Sequence, residues 1–180
     1  MKTSLPAIIT LLSVTLSGCI GCKKEITDPN GLPAATQEGK NTLGFLLNGQ
    51  PWTPKGSNGT ANLSIDVDLN LNKGIFSLSA YKIVSENNRE YFGIGLKDSL
   101  NLINPPQTYQ LGNATLYGVY YSNSVCTFNY FDNMILRSGS LTITRFDKGS
   151  HILSGTFNAV LSQGTCETIR IDEGRFDMKF

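Results

Sequence analysis

The sequence predicts an all-β fold: an antiparallel β-sandwich or barrel-like domain of short strands and hairpins. Three observations predict it. Apolar and polar residues alternate with a period of two, no stretch shows the apolar spacing of an amphipathic helix, and 18 glycines punctuate the chain. Successive side chains of a strand point to opposite faces, so a period of two indicates strands with one buried face. Short strands at fairly regular spacing are typical of sandwiches and barrels.

The alternation is clearest between residues 63 and 72, where every odd position is apolar and every even position is polar. The turn residues Asn72 and Gly74 separate this strand from a second one that carries Phe76, Leu78 and Ala80. The same pattern returns further along the chain at Phe92, Ile94 and Leu96, at Leu141 and Ile143, and at Leu153, Phe157, Ala159 and Leu161.

Two hairpins are predicted from turn chemistry. Asn48-Gly49 stands between Leu46-Leu47 and Trp52, and both central residues tolerate the positive φ of a tight hairpin turn. Near the end of the chain, Ile169 and Ile171 lead through residues 172–174 into a second apolar alternation. This last hairpin is expected to carry Phe176, Met178 and Phe180 on one face and Arg175, Asp177 and Lys179 on the outer face.

The N-terminus has the pattern of an export signal. Lys2 is followed by an apolar run over residues 5–16, which as a helix would span about 18 Å. That is short of the roughly 30 Å of a bilayer core, so the run predicts a signal peptide and not a transmembrane anchor. Leu16-Ser17-Gly18-Cys19 is similar to a bacterial lipobox, which predicts lipidation of Cys19. Cys22 is a weaker candidate, and an ordinary secreted protein is the other alternative.

These features divide the chain into a signal peptide (1–18), a lipidated N-terminus with a flexible tether (19–40) and one all-β domain (41–180). The whole chain carries 15 basic and 14 acidic residues, and loss of Lys2 with the signal peptide leaves a neutral protein. Nucleic-acid binding is not expected, because it calls for a basic domain. The expected location is the bacterial cell envelope, at the outer membrane through a lipid anchor, with the domain facing the periplasm or the surface.

Two segments of the chain resemble a known family. Residues 32–52 read LPAATQEGKNTLGFLLNGQPW, and the C-terminal part contains Ser154-Gly155-Thr156-Phe157 and Gly174-Arg175-Phe176-Asp177. They are similar to a family of uncharacterised Bacteroidota lipoproteins built on a domain of unknown function. The resemblance implies a β-domain in the cell envelope and no established activity, so it assigns no functional residue. Many relatives carry Cys where this chain has Phe45, and a bridge at that position is absent here.

Cys126 and Cys166 remain once the anchor region is set aside, and outside the cytoplasm such a pair favours a disulfide. Two unpaired thiols or a bridge to Cys22 are the alternatives. Alternating Asp66, Asp68 and Asn70 suggest calcium, but the glycine and glutamate of a calcium loop are missing from the positions that follow. A solvated strand face is the preferred interpretation, and the sequence indicates no metal or other cofactor.

Aromatic residues are concentrated in one region of the chain. Tyr117 and Tyr121 share one face of the predicted strand and Tyr120 has the other, so at least one ring is expected to be exposed and available to a sugar or a protein partner. A core hairpin with cross-strand aromatic pairs is the alternative. The region contains Tyr117, Tyr120, Tyr121, Phe128, Tyr130 and Phe131.

The sequence therefore favours a non-catalytic binding or structural module, with a glycan or protein ligand near Tyr117, Tyr121 and Tyr130. The competing hypothesis is a hydrolase of envelope or extracellular polysaccharide, which requires two carboxyl groups set apart in a cleft. A purely structural spacer is the third hypothesis. The candidate carboxylates for a hydrolase are Asp132, Asp147, Asp172 and Glu173.

Overall fold

A computed structural model describes residues 27–111, 117–129 and 136–180, without the side chains of Tyr117 and Leu136. In these ranges the chain is almost entirely extended, with two short 3₁₀ helices at Leu71–Lys73 and Leu100–Leu102. The strands are β1 (Thr42–Leu47), β2 (Gln50–Trp52), β3 (Leu63–Asp68), β4 (Ile75–Ser85), β5 (Asn88–Leu96), β6 (Gln107–Leu111), β7 (Tyr117–Ser122), β8 (Thr127–Phe128), β9 (Leu136–Asp147), β10 (Ile152–Ser162) and β11 (Ile169–Lys179).

The strands form two antiparallel sheets, which confirms the predicted fold class. One sheet has the order β2-β1-β11-β10-β9-β6 and the other the order β3-β4-β5-β7-β8. The predicted hairpin at Asn48-Gly49 joins β1 to β2, with Leu47 opposite Gln50 and positive φ at both turn residues. The alternation at residues 63–68 also forms a strand, whose residues Leu63, Ile65 and Val67 pack against the core.

The core lies between the two sheets and is rich in aromatic rings. Phe45 of β1 stacks on Trp52 of β2, with ring centroids 4.7 Å apart. Across the sandwich, Phe92 of β5 lies 4.7 Å from Phe45 and 5.3 Å from Phe157 of β10. Because these rings come from both sheets, they fix one sheet against the other.

The predicted C-terminal hairpin is wrong: β11 is one continuous strand. Its neighbour β10 places Phe157 opposite Gly174 and Ala159 opposite Ile171, so β11 carries one extra residue in a β-bulge. Glu173 adopts a φ of 52° at this point. The bulge shifts the inward positions from odd to even numbers, which explains why the apolar alternation changes phase without a turn.

The segment before β1 differs from the predicted tether. Of the range 19–40, residues 27–40 pack on the outer face of the six-stranded sheet, where Leu32 is 0% exposed. Asp177, expected to face solvent, lies under this segment and is 1% exposed. Its carboxylate accepts hydrogen bonds from the backbone amides of residues 38–40 and from the hydroxyls of Thr36 and Ser154. These hydrogen bonds to the buried carboxylate of Asp177 hold the segment on the sheet.

Candidate functional site

A groove crosses the outer face of the five-stranded sheet. The strand register places Ser64 of β3, Ser79 of β4 and Gly93 of β5 side by side across the sheet. The apolar residues of these strands point into the core, so the alternate small residues form the outward floor. Serine and glycine have small side chains or none. The larger side chains on either side therefore project beyond this floor and make the surface concave.

Three tyrosines form the walls of the groove. Gly93 is opposite Tyr120 of β7, and Tyr81 of β4 is opposite Tyr91 of β5. The rings of Tyr81 and Tyr91 lie 6.4 Å apart at an angle of 56°. Tyr91 and Tyr120 are partly exposed, whereas Tyr81 is 7% exposed. The groove therefore offers two accessible aromatic rings, and Tyr81 serves as their support.

The connection between β2 and β3 closes one side of the groove. The Tyr81 hydroxyl donates to the carbonyl oxygen of Thr60 at 2.7 Å and accepts from the Asn58 amide at 3.3 Å. The backbone of this connection also bonds to β4, where the Lys55 amide donates to the Tyr81 carbonyl at 3.1 Å. The loop wall is thus fixed before any ligand arrives.

The lining of the groove is polar, aromatic and uncharged over the residues that the structure describes. Its volume is about 500 Å³, within the range of small-molecule sites. The lining combines serine hydroxyls and asparagine amides with the phenol rings of the tyrosines. The lining residues are Asn58, Thr60, Ala61, Ser64, Ser77, Ser79, Ala80, Tyr81, Tyr91, Phe92, Gly93, Tyr120 and Asn129.

Of the three tyrosines predicted as ligand contacts, the structure describes the side chain of Tyr121 alone. Tyr121 is 2% exposed and pairs across the strands with Phe128 in the core, so its ring is not available to a ligand. The alternative of a core hairpin with aromatic pairs is correct for this pair. Tyr120 has the opposite face, as its position in the strand predicts, and its ring lines the groove. The Tyr117 side chain and Tyr130 lie outside the described residues.

Sequence reasoning missed Tyr81 and Tyr91 as components of the site. The signal was present: Phe76, Leu78 and Ala80 face inward, so the odd positions Ser77, Ser79 and Tyr81 must face outward. Only the pairing of β4 with β5 shows that Tyr91 stands beside Tyr81. That pairing is a hairpin around the two-residue turn Glu86-Asn87, which was not among the predicted hairpins.

Tyr121 belongs to a half-buried polar cluster centred on Glu90. The Glu90 carboxylate accepts from the indole nitrogen of Trp52 at 2.7 Å and from the Tyr121 hydroxyl at 2.9 Å. Lys82 lies 3.8 Å from the same carboxylate. Burial, with the negative charge of Glu90, raises the pKa of Tyr121 well above its usual value. The cluster satisfies polar groups between the sheets, because each donor has an acceptor.

Asp147, one of the carboxylates proposed for a hydrolase, does not form a pair with Asp172 or Glu173. Ile152 of β10 lies opposite Asp147 on one side and opposite Lys179 of β11 on the other. Lys179 is six residues along β11 from Glu173. Six residues of strand span about 20 Å, whereas glycosidase carboxyl pairs lie roughly 5–10 Å apart. Hydrogen bonds from Arg145 and from Ser150 hold the pKa of Asp147 well below its usual value. Asp172 and Glu173 adjoin the β11 bulge, and Asp132 lies outside the described residues.

The predicted disulfide between Cys126 and Cys166 is present, with Cα atoms 6.0 Å apart. Cys126 follows the turn after β7 and Cys166 lies in the connection from β10 to β11. The bond therefore links the five-stranded sheet to the six-stranded sheet at one end of the sandwich.

The calcium interpretation gains no support from the structure. Asp68 accepts hydrogen bonds from the amides of Asn70 and Leu71, which makes it the first residue of a turn. Within residues 27–111, 117–129 and 136–180 no group of three or more His, Cys, Asp or Glu side chains could hold a metal ion.

The signal peptide and the candidate lipidation residues Cys19 and Cys22 lie outside the described residues. In the part of the chain that the structure covers, no helix has the length and apolarity needed to cross a membrane. No protein-family model, curated protein or solved structure matches the chain.

Proposed function

We propose that this protein is a lipid-anchored module of the bacterial cell envelope that binds a carbohydrate chain without cleaving it. The observation that carries the proposal is the groove on the five-stranded sheet. Its accessible tyrosines, hydroxyls and amides, and the absence of charge among its described lining residues, match the surface of a sugar.

A sugar ring has an apolar face of C–H groups and a rim of hydroxyls. The apolar face packs on aromatic rings, which Tyr91 and Tyr120 provide. The hydroxyls must find hydrogen-bond partners when they leave water, because an unpaired buried hydroxyl is costly. Ser64, Ser77 and Ser79 stand exposed on the floor and can both donate and accept.

The rigidity of the groove supports binding. Tyr81 fixes the loop wall through two hydrogen bonds, and the floor belongs to three paired strands. A site that is already formed loses little conformational entropy when a ligand binds. The lining also contains no described carboxylate that could act as an acid or a base, which favours binding over hydrolysis.

The position of the N-terminal segment supports an anchored module. Residues 27–40 run over the six-stranded sheet, and the groove lies on the outer face of the other sheet. The first described residues, from Thr27 onward, therefore lie on the side of the domain away from the groove. A carbohydrate could reach the groove while the anchor stays in the membrane.

Binding is tested on the full chain in detergent, by affinity electrophoresis in gels that contain neutral polysaccharides such as xylan, mannan, galactan and β-glucan. We expect retardation by at least one of them. Tyr120→Ala should weaken that binding about tenfold, equal to roughly 1.4 kcal/mol, because it removes a stacking ring. Tyr120→Phe should keep most of the affinity.

The matched control is Leu102→Ala, which trims an apolar side chain that is 68% exposed at a distance from the groove. It should bind like the wild type. Failure of every polysaccharide to retard the chain, or full binding by Tyr120→Ala, would overturn the proposed site.

The anchor is tested by intact mass and by protease treatment of whole cells that express the wild type, Cys19→Ala or Cys22→Ala. We expect a lipid-sized mass on the wild type and on Cys22→Ala, and none on Cys19→Ala. Cleavage by external protease would place the domain on the cell surface, and protection would place it inside the envelope. A lipid-free wild type would contradict the anchored part of the proposal.

A further inference from the structure

A second depression adjoins the groove at Tyr91. This one has a volume of about 370 Å³ and is lined by Glu86, Asn87, Arg89, Tyr91, Asn123 and Ser124. Tyr91 lines both depressions. It is therefore the boundary between them, and a long ligand can contact its ring from both sides.

Strand geometry places the two depressions one after the other. Gly93, Tyr91 and Arg89 are successive outward positions of β5, each about 7 Å from the next. The uncharged floor lies at Gly93 and the second depression at Arg89. A chain that runs along β5 passes from hydroxyls and amides, over the ring of Tyr91, to a guanidinium group.

Arg89 is exposed, and its Nε donates to the carbonyl oxygen of Glu86 at 3.1 Å. Among the described residues no carboxylate lies within 4.0 Å of its guanidinium, including that of Glu86, which lines the same depression. Arg145 and Arg175, in contrast, form ion pairs at 2.7 and 2.8 Å. The remaining donors of Arg89 have the planar arrangement that recognises a carboxylate or a sulfate.

We infer that the ligand is an extended glycan that carries an acidic sugar, with neutral sugars in the groove and the anionic group at Arg89. This inference rests on the proposed function and specifies the class of its ligand. Carboxylate and sulfate groups share the required charge and geometry. Tyr91 would stack on the sugar between the two compartments.

The experiment measures affinity for matched glycans by isothermal titration with the full chain in detergent. One pair is an unsubstituted xylo-oligosaccharide and the same chain with a glucuronic acid substituent. The other pair is a sulfated galactan oligosaccharide and its desulfated form. We expect at least one acidic member to bind about tenfold more tightly than its neutral partner at low salt, and the advantage to shrink at high salt.

Arg89→Gln should remove the preference for the acidic glycan and change the affinity for the neutral glycan less than about twofold. Arg89→Lys should keep part of the preference, since the charge remains but the planar pair of donors is lost. Arg170→Gln is the matched control, because Arg170 is exposed on the other sheet. It should bind both glycans like the wild type.

The outcomes separate the two proposals. Binding of neutral glycans that depends on Tyr120, with no advantage for an acidic partner, would overturn the role of Arg89 and leave the groove function intact. If Arg89→Gln keeps the preference for the acidic glycan, the proposed role of Arg89 is overturned as well. Absence of binding by every glycan would overturn both the proposed function and this inference.

Discussion

The outer faces of the two sheets are used in opposite ways. On the six-stranded sheet, residues 27–40 lie across the outer face and bury Leu32 and Asp177. On the five-stranded sheet, the outer face is open and forms the groove between Tyr81, Tyr91 and Tyr120. Both faces carry polar side chains at alternating positions, so the same sequence pattern serves a covered surface in one sheet and an exposed one in the other.

The difference lies in where the hydrogen bonds of those polar groups are made. On the covered face, one carboxylate, Asp177, has all its donors within the protein. On the open face, Ser64, Ser77 and Ser79 are exposed to solvent. Polar groups that the fold has already satisfied contribute stability, whereas exposed ones can exchange water for a ligand. The comparison supports the proposal that the five-stranded sheet is the side for recognition.

The largest effect is expected from removal of the bond that joins the two sheets. The disulfide closes a loop with a sequence separation of 40, so the double variant Cys126→Ser with Cys166→Ser should lose about 4 kcal/mol in the chain-entropy model. Urea unfolding measures this loss. Trp52, the single tryptophan, reports on the six-stranded sheet by fluorescence, and circular dichroism reports on both sheets. A double variant as stable as the wild type would show that the core alone fixes the sheets.

A smaller effect than that of the disulfide is expected at Asp177, whose hydrogen bonds keep the six-stranded face covered. Every polar partner of its carboxylate is a donor, so in Asp177→Asn the new NH₂ group would face other donors. We expect a loss of about 3 kcal/mol in the free energy of unfolding, in the range for hydrogen bonds to a charged group, and faster proteolysis within residues 27–40. Asp66→Asn, at an exposed position of β3, is the control and should change neither.

Asp177 also predicts how stability depends on pH. Burial raises its pKa, but the hydrogen bonds from Thr36, Glu38, Ser154 and Gly39 outweigh burial and hold the pKa below its usual value. The folded state then favours the charged form, so this contribution is present above a pH of about 4 and is lost as the pH falls below it. Urea unfolding at pH values from 7 to 3 should show a steeper decline for the wild type than for Asp177→Asn. Parallel curves would contradict this role.

A smaller effect is expected at Gly44 of β1, where Pro33 of the covering segment packs closely on the sheet. A Cβ atom at this position would lie 2.6 Å from Cδ of Pro33. Gly44→Ala should therefore push the segment away and cost about 2 kcal/mol, as overpacking does, with increased proteolysis near Pro33 and unchanged glycan binding. Gly149→Ala is the control, because its nearest contact would be an ordinary 3.5 Å. Equal stability of the two variants would show that the segment is loosely held.

The smallest effect on stability is expected at the open face. Tyr120 is partly exposed, so Tyr120→Ala should change the free energy of unfolding by less than about 1 kcal/mol, although it weakens glycan binding. Tyr121→Ala, one residue away, empties a core position and should cost about 4 kcal/mol. Thermal melts of the two variants test the contrast. A large loss of stability in Tyr120→Ala would assign this ring to the fold and weaken the comparison between the faces.

The sequence by itself determined the local features of this protein. Alternation fixed which side chains of β3 and β4 share a face, and Asn48-Gly49 fixed the hairpin between β1 and β2, because both signals depend on neighbouring residues. The pairing of Cys126 with Cys166 was also predictable, since two cysteines outside the anchor region leave few alternatives. These features follow from the backbone geometry of short segments.

The tertiary structure alone decided which face is covered and which is open. Residues 36–40 reach Asp177 some 140 positions later, and Tyr120 lies beside Gly93 only because β5 pairs with β7. The bulge in β11 likewise needs β10 as its partner, so sequence reasoning read residues 172–174 as a turn. A residue's own neighbours set the side of the strand on which it lies. Contacts between distant parts of the chain decide whether another segment covers that side. For this reason Asp177 is buried on one sheet, whereas the groove on the other sheet is open.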